Sequence, residues 1–268
     1  MIDTRTTDCM KQLLKRSLLA ATRLIGYRES EQRIIRQSGE FWSDTDSSKF
    51  RAYSHWKGED GIADAAWLAL GKQHLDLFHR MIRLTEMRRP IDRIIEWGCG
   101  GGCNAVHFAR EAGQFIGVDV SQATLEECRR AVSAAGLGNF LPVLVDVAAP
   151  ESALEQITDA CDLFLCTYVM ELVPTPAYGR RIVDIAYKLV RPGGLAIIQI
   201  KYATTDAATQ PRRWGYKLNA ANMTTYAIDQ FWEICQQAGF EPLAVTLQPK
   251  QTLIGDERYA YFTLSRGA

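Results

Sequence analysis

Short apolar runs, each followed by a polar or glycine-rich stretch, recur along the chain from Ile94 onward. Runs of this length between turn signals are typical of buried strands, and the segments between them have helical spacing. Alternation of strands and helices in this way predicts an α/β fold. The strand predictions are Ile94–Trp97, Phe115–Val120, Leu141–Val145, Cys161–Cys166 and Ala196–Ile200.

Three further segments have helical patterns. Ala65–Phe78 places apolar residues three and four positions apart, and Phe231–Phe240 contains the cap glycine Gly239. Lys11–Ile25 is amphipathic and locally basic, but its apolar run is too short and too interrupted to span a bilayer. We expect this last helix to pack over the domain, with weak contact to an anionic membrane surface as the alternative.

The first strand ends at Glu96 and leads into a turn with four glycines in five positions, Gly98 and Gly100–Gly102 around Cys99. Glycine lets the backbone approach a ligand closely and adopt conformations that a side chain forbids. A nicotinamide dinucleotide fingerprint requires glycine or alanine where this chain has Cys103, and Glu96 would repel the pyrophosphate. A cationic ligand would favour that acid, and S-adenosylmethionine (SAM) carries an ammonium beside a sulfonium.

The spacing Glu96-x-Gly98-x-Gly100-x-Gly102 resembles the first motif of the class I SAM-dependent methyltransferases. The resemblance covers roughly residues 70 to 266, and Arg191–Leu195 is similar to the family's turn into strand five. It implies a three-layer Rossmann-like fold, with a mostly parallel seven-stranded sheet and an antiparallel C-terminal strand. The terminal antiparallel pair would be Leu243–Leu247 and Tyr259–Leu264. We divide the chain into a helical N-terminal extension, residues 1–70, and a SAM-binding domain, residues 71–268.

Two acids at strand ends are the main candidates for contacts to SAM. Asp119 follows the glycines at about the 20 residues expected of a carboxylate that binds a ribose, and the resemblance implies that it takes both hydroxyls. Asp146 matches the family position that accepts the adenine amino group. As alternatives, Asp119 is a cap or turn residue and Asp146 starts a turn before Pro150. The predicted binding set for SAM and its product S-adenosylhomocysteine is Glu96, Gly98, Cys99, Gly100, Asp119, Val120, Asp146, Val147, Cys166 and Thr167.

The segment Phe41–Gly61 is rich in rings, charge and glycine. We expect it to form a lid over the acceptor site, the alternative being a loop that only packs its aromatics on the core. His55 is the candidate base for an oxygen acceptor, unless it only orders the lid. Tyr168 is the second catalytic candidate, because it follows strand four, where open α/β sheets bind ligands. The predicted substrate-binding residues are Tyr53, Trp56, Glu171, Lys201, Tyr202, Arg213 and Trp214.

Composition narrows the class of protein. With 31 basic and 31 acidic residues the formal net charge is zero, so general nucleic-acid binding is not expected. Seven cysteines without C-x-x-C spacing indicate reduced thiols and a cytoplasmic protein. His74 and His79 are five apart and do not share a helical face, and no metal site is predicted. The length fits a single enzyme-sized unit, a monomer or a homodimer.

We therefore predict a SAM-dependent methyltransferase that acts on a small-molecule acceptor in a biosynthetic pathway. The acceptor atom is expected to be an oxygen, in a sugar hydroxyl or a phenol. Thr167–Met170 stands where family members that methylate amides or nucleobase amines carry Asn or Asp, Pro, Pro and an aromatic residue, which argues against those acceptors. The alternatives are N-methylation of a small amine or a protein end, and a module that binds SAM or a nucleotide without turnover.

Overall fold

The computed structural model describes residues 26–83, 85 and 90–267 of the 268-residue chain. The helix predicted over Lys11–Ile25 lies outside the described residues. The described part is built on one sheet with helices on both faces and a helical N-terminal region beside one end of it.

Seven strands form the sheet, namely β1 Arg93–Trp97, β2 Gln114–Asp119, β3 Phe140–Leu144, β4 Cys161–Cys166, β5 Val190–Lys201, β6 Glu241–Gln251 and β7 Asp256–Ser265. Their order in the sheet is β3-β2-β1-β4-β5-β7-β6. Strands β1 to β5 are parallel, whereas β7 runs antiparallel to both β5 and β6. This confirms the predicted mostly parallel sheet with an antiparallel C-terminal strand.

The helices agree with the sequence patterns where patterns were assigned. The helix predicted over Ala65–Phe78 extends to Ile82, and the predicted boundary between residues 70 and 71 lies inside it. Gly239 caps the last helix with φ +106°, a conformation that glycine adopts without strain. The helices are α1 Glu31–Ser43, α2 Ser48–Tyr53, α3 Asp64–Ile82, α4 Ala105–Phe108, α5 Gln122–Ala134, α6 Ala153–Gln156, α7 Pro176–Leu189, α8 Tyr216–Asn219 and α9 Ile228–Ala238.

Apolar clusters cover both faces of the sheet. Ile94 packs in the cluster with α3 and α4, whereas its neighbour Ile95 packs in the cluster with α7 and α9. Successive side chains on a strand point to opposite faces, so both must be apolar when both faces are covered. All six residues of Cys161–Cys166 are buried for the same reason.

A third, smaller cluster fixes the N-terminal region at the carboxyl end of β4. It joins α1 to α8 through Phe41 and Tyr216, with Leu172 from the loop after β4. The Tyr216 hydroxyl donates to the Leu172 carbonyl oxygen at 2.7 Å and accepts from Trp42 Nε1 at 3.0 Å. These contacts place α1 next to the strand ends, where open α/β sheets bind ligands.

Candidate active site

The glycine-rich turn after β1 needs glycine for geometric reasons. Gly98, Gly100 and Gly102 all have positive φ, at 70°, 53° and 91°. A Cβ on Gly98 would lie 2.3 Å from Val169 Cγ2, far inside contact distance. The Gly98 N–H donates to the Val118 carbonyl oxygen at 2.7 Å, which fixes the turn to the end of β2. The turn is therefore rigid, and its backbone is open to a ligand on one side.

A cleft of about 670 Å³ opens at the carboxyl ends of β1 to β4. In the sheet order, β1 stands between β2 and β4, which is the switch point where such folds bind nucleotides. Valines from the ends of β2 and β3 give the cleft an apolar side that suits a nucleobase. Its lining includes Trp97, Gly98, Gly100, Asp119, Val120, Val145, Val147, Tyr168, Val169 and Tyr178, and Ser38, Trp42, Tyr53 and Tyr216 from the N-terminal region and α8.

Asp119 lies in this cleft and joins the end of β2 to the glycine turn. Its Oδ2 accepts from the Gly100 N–H at 3.2 Å and its Oδ1 from the Ser121 N–H at 3.0 Å. Burial raises the pKa of Asp119 to about 6, although these backbone N–H groups lower it. The carboxylate is held in place from two sides and has lone pairs left for a ligand hydroxyl.

Glu96 is buried at the end of β1, directly before the turn. Its Oε1 accepts from Asn104 Nδ2 at 2.5 Å, while its Oε2 has no hydrogen-bond partner among the described residues. Burial raises the pKa of Glu96 to about 8; the hydrogen bond from Asn104 opposes this rise, and the charge of Asp119 adds to it. A buried carboxylate oxygen without a partner is costly, and a cationic ligand in the cleft would offset that cost.

A chain of buried polar side chains connects Glu96 to Tyr168. Asn104 Oδ1 lies 2.7 Å from His74 Nδ1, and His74 Nε2 lies 3.1 Å from the Tyr261 hydroxyl, which bonds Tyr168 in turn. Burial lowers the pKa of His74 to about 4, so the ring is neutral at neutral pH. Sequence reasoning missed this chain because its members are far apart along the sequence and only the sheet brings them together.

A second cavity of about 950 Å³ adjoins the cleft, and the two share Tyr53, Tyr168 and Leu172 in their linings. The shared residues form the boundary between the two cavities. The lining of the second cavity contains both acids and aromatic rings. Its other lining residues include His55, Ile62, Ala66, Glu171, Ile254, Asp256 and Tyr259.

The segment between α2 and α3 lies directly on the glycine turn. The Gly101 N–H donates to the Ser54 carbonyl oxygen at 2.7 Å, and a Cβ on Gly101 would lie 2.7 Å from the His55 carbonyl oxygen. Trp67 Nε1 donates to that same His55 oxygen at 2.8 Å. These contacts are consistent with the lid predicted over Phe41–Gly61. That this segment closes over a bound ligand stays a prediction.

The two predicted catalytic residues, His55 and Tyr168, lie side by side at the second cavity. Their ring centroids are 4.8 Å apart, and both have positive φ, at 51° and 57°. Gln199 Oε1 accepts from the Tyr168 N–H at 2.5 Å, which anchors the backbone of Tyr168. Burial lowers the pKa of His55 to about 4 and raises that of the Tyr168 phenol well above its ordinary value.

Several predicted residues lie away from the two linings as described. Asp146 is exposed, and its Oδ1 accepts from the Ala148 N–H at 2.7 Å in a local turn, so the turn alternative accounts for its observed contact. Lys201 is buried under the second cavity in an ion pair with Asp256. The predicted roles of this group stay predictions. The other members are the buried Glu96, and Cys99, Trp56, Cys166, Thr167, Tyr202, Arg213 and Trp214.

Sequence reasoning missed Ser38, which lines the cleft together with Trp42 of the predicted lid segment and Tyr216. The first two lie on α1, whose start is signalled by Ser30, a capping residue that accepts from the Arg33 N–H. Within the described part of the chain, no group of three or more His, Cys, Asp or Glu side chains is arranged to hold a metal ion. No helix there is long and apolar enough to cross a bilayer.

The sheet order, the switch-point cleft and the glycine turn with its acids define the class of Rossmann-like SAM-dependent methyltransferases. Residues 68–245 match the family model described as a methyltransferase domain, and the chain belongs to this family. It is a SAM-dependent methyltransferase. The Glu96 oxygen without a partner, the glycine backbone and the Asp119 carboxylate all fit SAM.

Among known proteins, a ubiquinone biosynthesis O-methyltransferase from Alkalilimnicola ehrlichii is 33% identical over 109 residues, 39% of this chain and 40% of that protein. The match thus spans about two fifths of that relative's length. A SAM-dependent methyltransferase from Clostridium acetobutylicum has the same fold, with a TM-score of 0.56, 11% identity, and coverage of 77% of this chain and 93% of that one. An O-methyltransferase family protein from Burkholderia thailandensis gives a TM-score of 0.55 at 16% identity, covering 85% and 62% of the two chains.

Asp119→Ala is expected to weaken SAM binding by about 10- to 100-fold, since a hydrogen bond to a charged group contributes about 1.5–3 kcal/mol. The substitution opens no apolar core, so the far-UV circular dichroism spectrum should be unchanged. Calorimetric titration with S-adenosylhomocysteine measures the effect, with the exposed Asp46→Ala as the matched control. Equal affinity in the two variants would remove Asp119 from the binding site.

Proposed function

We propose that this methyltransferase transfers a methyl group to a hydroxyl oxygen of a small molecule bound in the second cavity. The observation that carries the proposal is the boundary of Tyr53, Tyr168 and Leu172 that this cavity shares with the cleft. An acceptor there would lie next to the donor. The similarity to an O-methyltransferase of ubiquinone biosynthesis supports an oxygen acceptor, and the rings of the second cavity suit a phenol.

The chain's own residues have separable tasks in this proposal. Bound SAM supplies an electrophilic methyl group on a sulfonium. The glycine turn and Asp119 hold the donor, while Tyr53 and Tyr168 orient the acceptor against it. The segment on the turn, through Ser54 and His55, limits the access of water. Alignment of the reacting atoms accounts for much of the acceleration of such a displacement.

N-methylation of a small amine is the second candidate, because the second cavity combines rings with acids. Tyr53, Tyr168 and Tyr259 lie there together with Glu171 and Asp256. Aromatic faces and carboxylates both attract an ammonium group. An amine must be neutral to attack the methyl group, and it then needs no base at first.

Calorimetric titration and a transfer assay test the proposal. SAM and S-adenosylhomocysteine are expected to bind with dissociation constants on the order of micromolar, and NADH is expected not to bind. Labelled SAM is then incubated with four probes, namely phenol, catechol, glucose and benzylamine, and products are identified by mass spectrometry. Methylation of a hydroxyl probe supports the proposal, whereas methylation of benzylamine alone would favour the second candidate.

A further inference from the structure

Glu171 differs from Asp256, the other acid in the lining of the second cavity. It follows β4 in the loop after Tyr168, and its side chain is buried, with the whole residue 3% exposed. Its Oε2 has no hydrogen-bond partner in the described part of the chain. Its backbone is fixed, since the Glu171 carbonyl oxygen accepts from the Thr224 N–H at 3.2 Å. The structure thus holds a buried carboxylate with a free oxygen at the wall of the cavity.

Lys201, the cation whose charge acts on Glu171, forms its ion pair with a different acid. Lys201 Nζ binds both oxygens of Asp256, at 2.6 and 2.8 Å, and the Tyr259 hydroxyl donates to Asp256 Oδ2 at 2.7 Å. Asp256 is therefore the partner of Lys201, and Glu171 experiences that cation only at longer range. The titratable groups that face Glu171 are Cys166, Tyr168, Lys201, Tyr216, Tyr226, Asp256, Tyr259 and Tyr261.

These surroundings suit an acid that exchanges a proton near neutral pH. Burial raises the pKa of Glu171 to about 7. The charge of Lys201 and hydrogen bonds from the Glu171 backbone and from the Tyr259 side chain lower this pKa, whereas the charge of Asp256 raises it. A general base works best when its pKa lies near the working pH. His55 is at a disadvantage in this respect, because burial lowers its pKa to about 4 and makes the imidazole a weak base.

We propose that Glu171 is the general base for oxygen methylation, in place of His55, an inference that rests on the proposed function. As the acceptor oxygen forms its bond to the methyl carbon, the carbon–sulfur bond breaks and its electron pair stays on sulfur. The acceptor hydroxyl proton passes to the Glu171 carboxylate. The products are the methyl ether, neutral S-adenosylhomocysteine and protonated Glu171, which returns its proton to water through the open cavity.

Glu171→Gln tests the inference with the hydroxyl probe that the wild type methylates. The variant is expected to lose about 100-fold or more in kcat, while its affinity for S-adenosylhomocysteine stays within about twofold, because the donor cleft does not include this residue. The wild-type rate should rise with pH to a plateau above about 7, and this rise should be absent from the variant. Glu171→Asp is expected to restore part of the rate.

Two further variants complete the design. The matched control is Glu233→Gln, at an exposed glutamate on α9, which should leave both rate and affinity unchanged. His55→Gln reports on the competing base and is expected to keep the pH-dependent rise near 7.

The outcomes separate the inference from the proposed function. Transfer to a hydroxyl probe with loss in Glu171→Gln alone supports the inference. The inference is overturned if Glu171→Gln still methylates the hydroxyl probe. It is also overturned if His55→Gln loses both the transfer and the increase of rate with pH. Either result leaves the proposed function standing. Absence of wild-type transfer to any hydroxyl probe overturns both.

Discussion

Gly71→Ala should destabilise the protein by about 3 kcal/mol, at the upper end of the range for overpacking a core. Gly71 is buried in the middle of α3, where that helix crosses the segment after the glycine turn. A Cβ at this position would lie 1.8 Å from the Cys103 carbonyl oxygen and 2.7 Å from His107 Cδ2. The Cys103 oxygen belongs to the backbone, so no change of side-chain rotamer can relieve this clash. The helix must therefore move from the turn, although alanine favours a helix by about 1 kcal/mol over glycine.

Gly39→Ala is the matched control, because Gly39 is also a helix residue, in α1, and a Cβ there meets no atom within 4 Å. It should stabilise the protein by about 0.5–1 kcal/mol through helix propensity and a less flexible unfolded chain. Urea denaturation followed by circular dichroism measures both changes. The same sign of change in the two variants would show that the contact between α3 and the Cys103 backbone is not tight.

The sheet was predictable from sequence because its signal is local. Each parallel strand is an apolar run bounded by turn residues, and Cys161–Cys166 is observed with the predicted bounds. The glycine turn was also predictable, because glycine adopts the positive φ of Gly98 and Gly100 without strain, and a Cβ on Gly98 would collide with Val169. Strand β5 is longer than predicted, since it begins at Val190 and includes the Arg191–Leu195 segment that was expected to be a turn.

The acceptor side was predicted less well, because its signals are not local. Lys201 was predicted to bind the substrate, whereas the return of β7 brings Asp256 to it as an ion-pair partner. The chain from Asn104 through His74 to Tyr261 joins residues up to 187 positions apart. A sequence pattern carries no record of such pairs. Glu171 was predicted to bind the substrate, and it lies in the lining of the second cavity. That its Oε2 has no partner could not be predicted, because Lys201 is paired with Asp256 only in the folded sheet.

Glu96→Gln is expected to flatten the fall in stability of the ligand-free protein between pH 6.5 and 8. In the folded protein the pKa of Glu96 is raised from 4.5 to about 8, so the folded state binds the proton more tightly. Its stabilisation is complete below about pH 4.5 and is lost as the pH rises through about 8. The loss between pH 6.5 and 8 is about 1–2 kcal/mol, and a glutamine, which does not ionise, removes it.

The other buried titratable groups do not cancel this decrease of stability with pH. Glu171 and Asp119 have pKa values raised to about 7 and about 6, and they contribute with the same sign. His55 and His74, lowered from 6.5 to about 4, have the opposite sign, but their contribution is complete above about pH 6.5. The variant should therefore keep a shallower slope from Glu171, whereas the exposed Glu233→Gln should keep the wild-type slope. Thermal unfolding across the pH range measures this.

Donor binding provides the second readout of the same variant. The ammonium group of SAM favours the ionised form of Glu96, so binding near pH 7 should release a proton, and its heat should depend on the ionisation enthalpy of the buffer. Glu96→Gln should abolish the release and weaken SAM by about 100-fold, since a hydrogen bond to a charged group contributes about 1.5–3 kcal/mol. Proton release that persists in this variant would assign the titrating group to Asp119, the other buried acid beside the turn, and would separate Glu96 from the donor site.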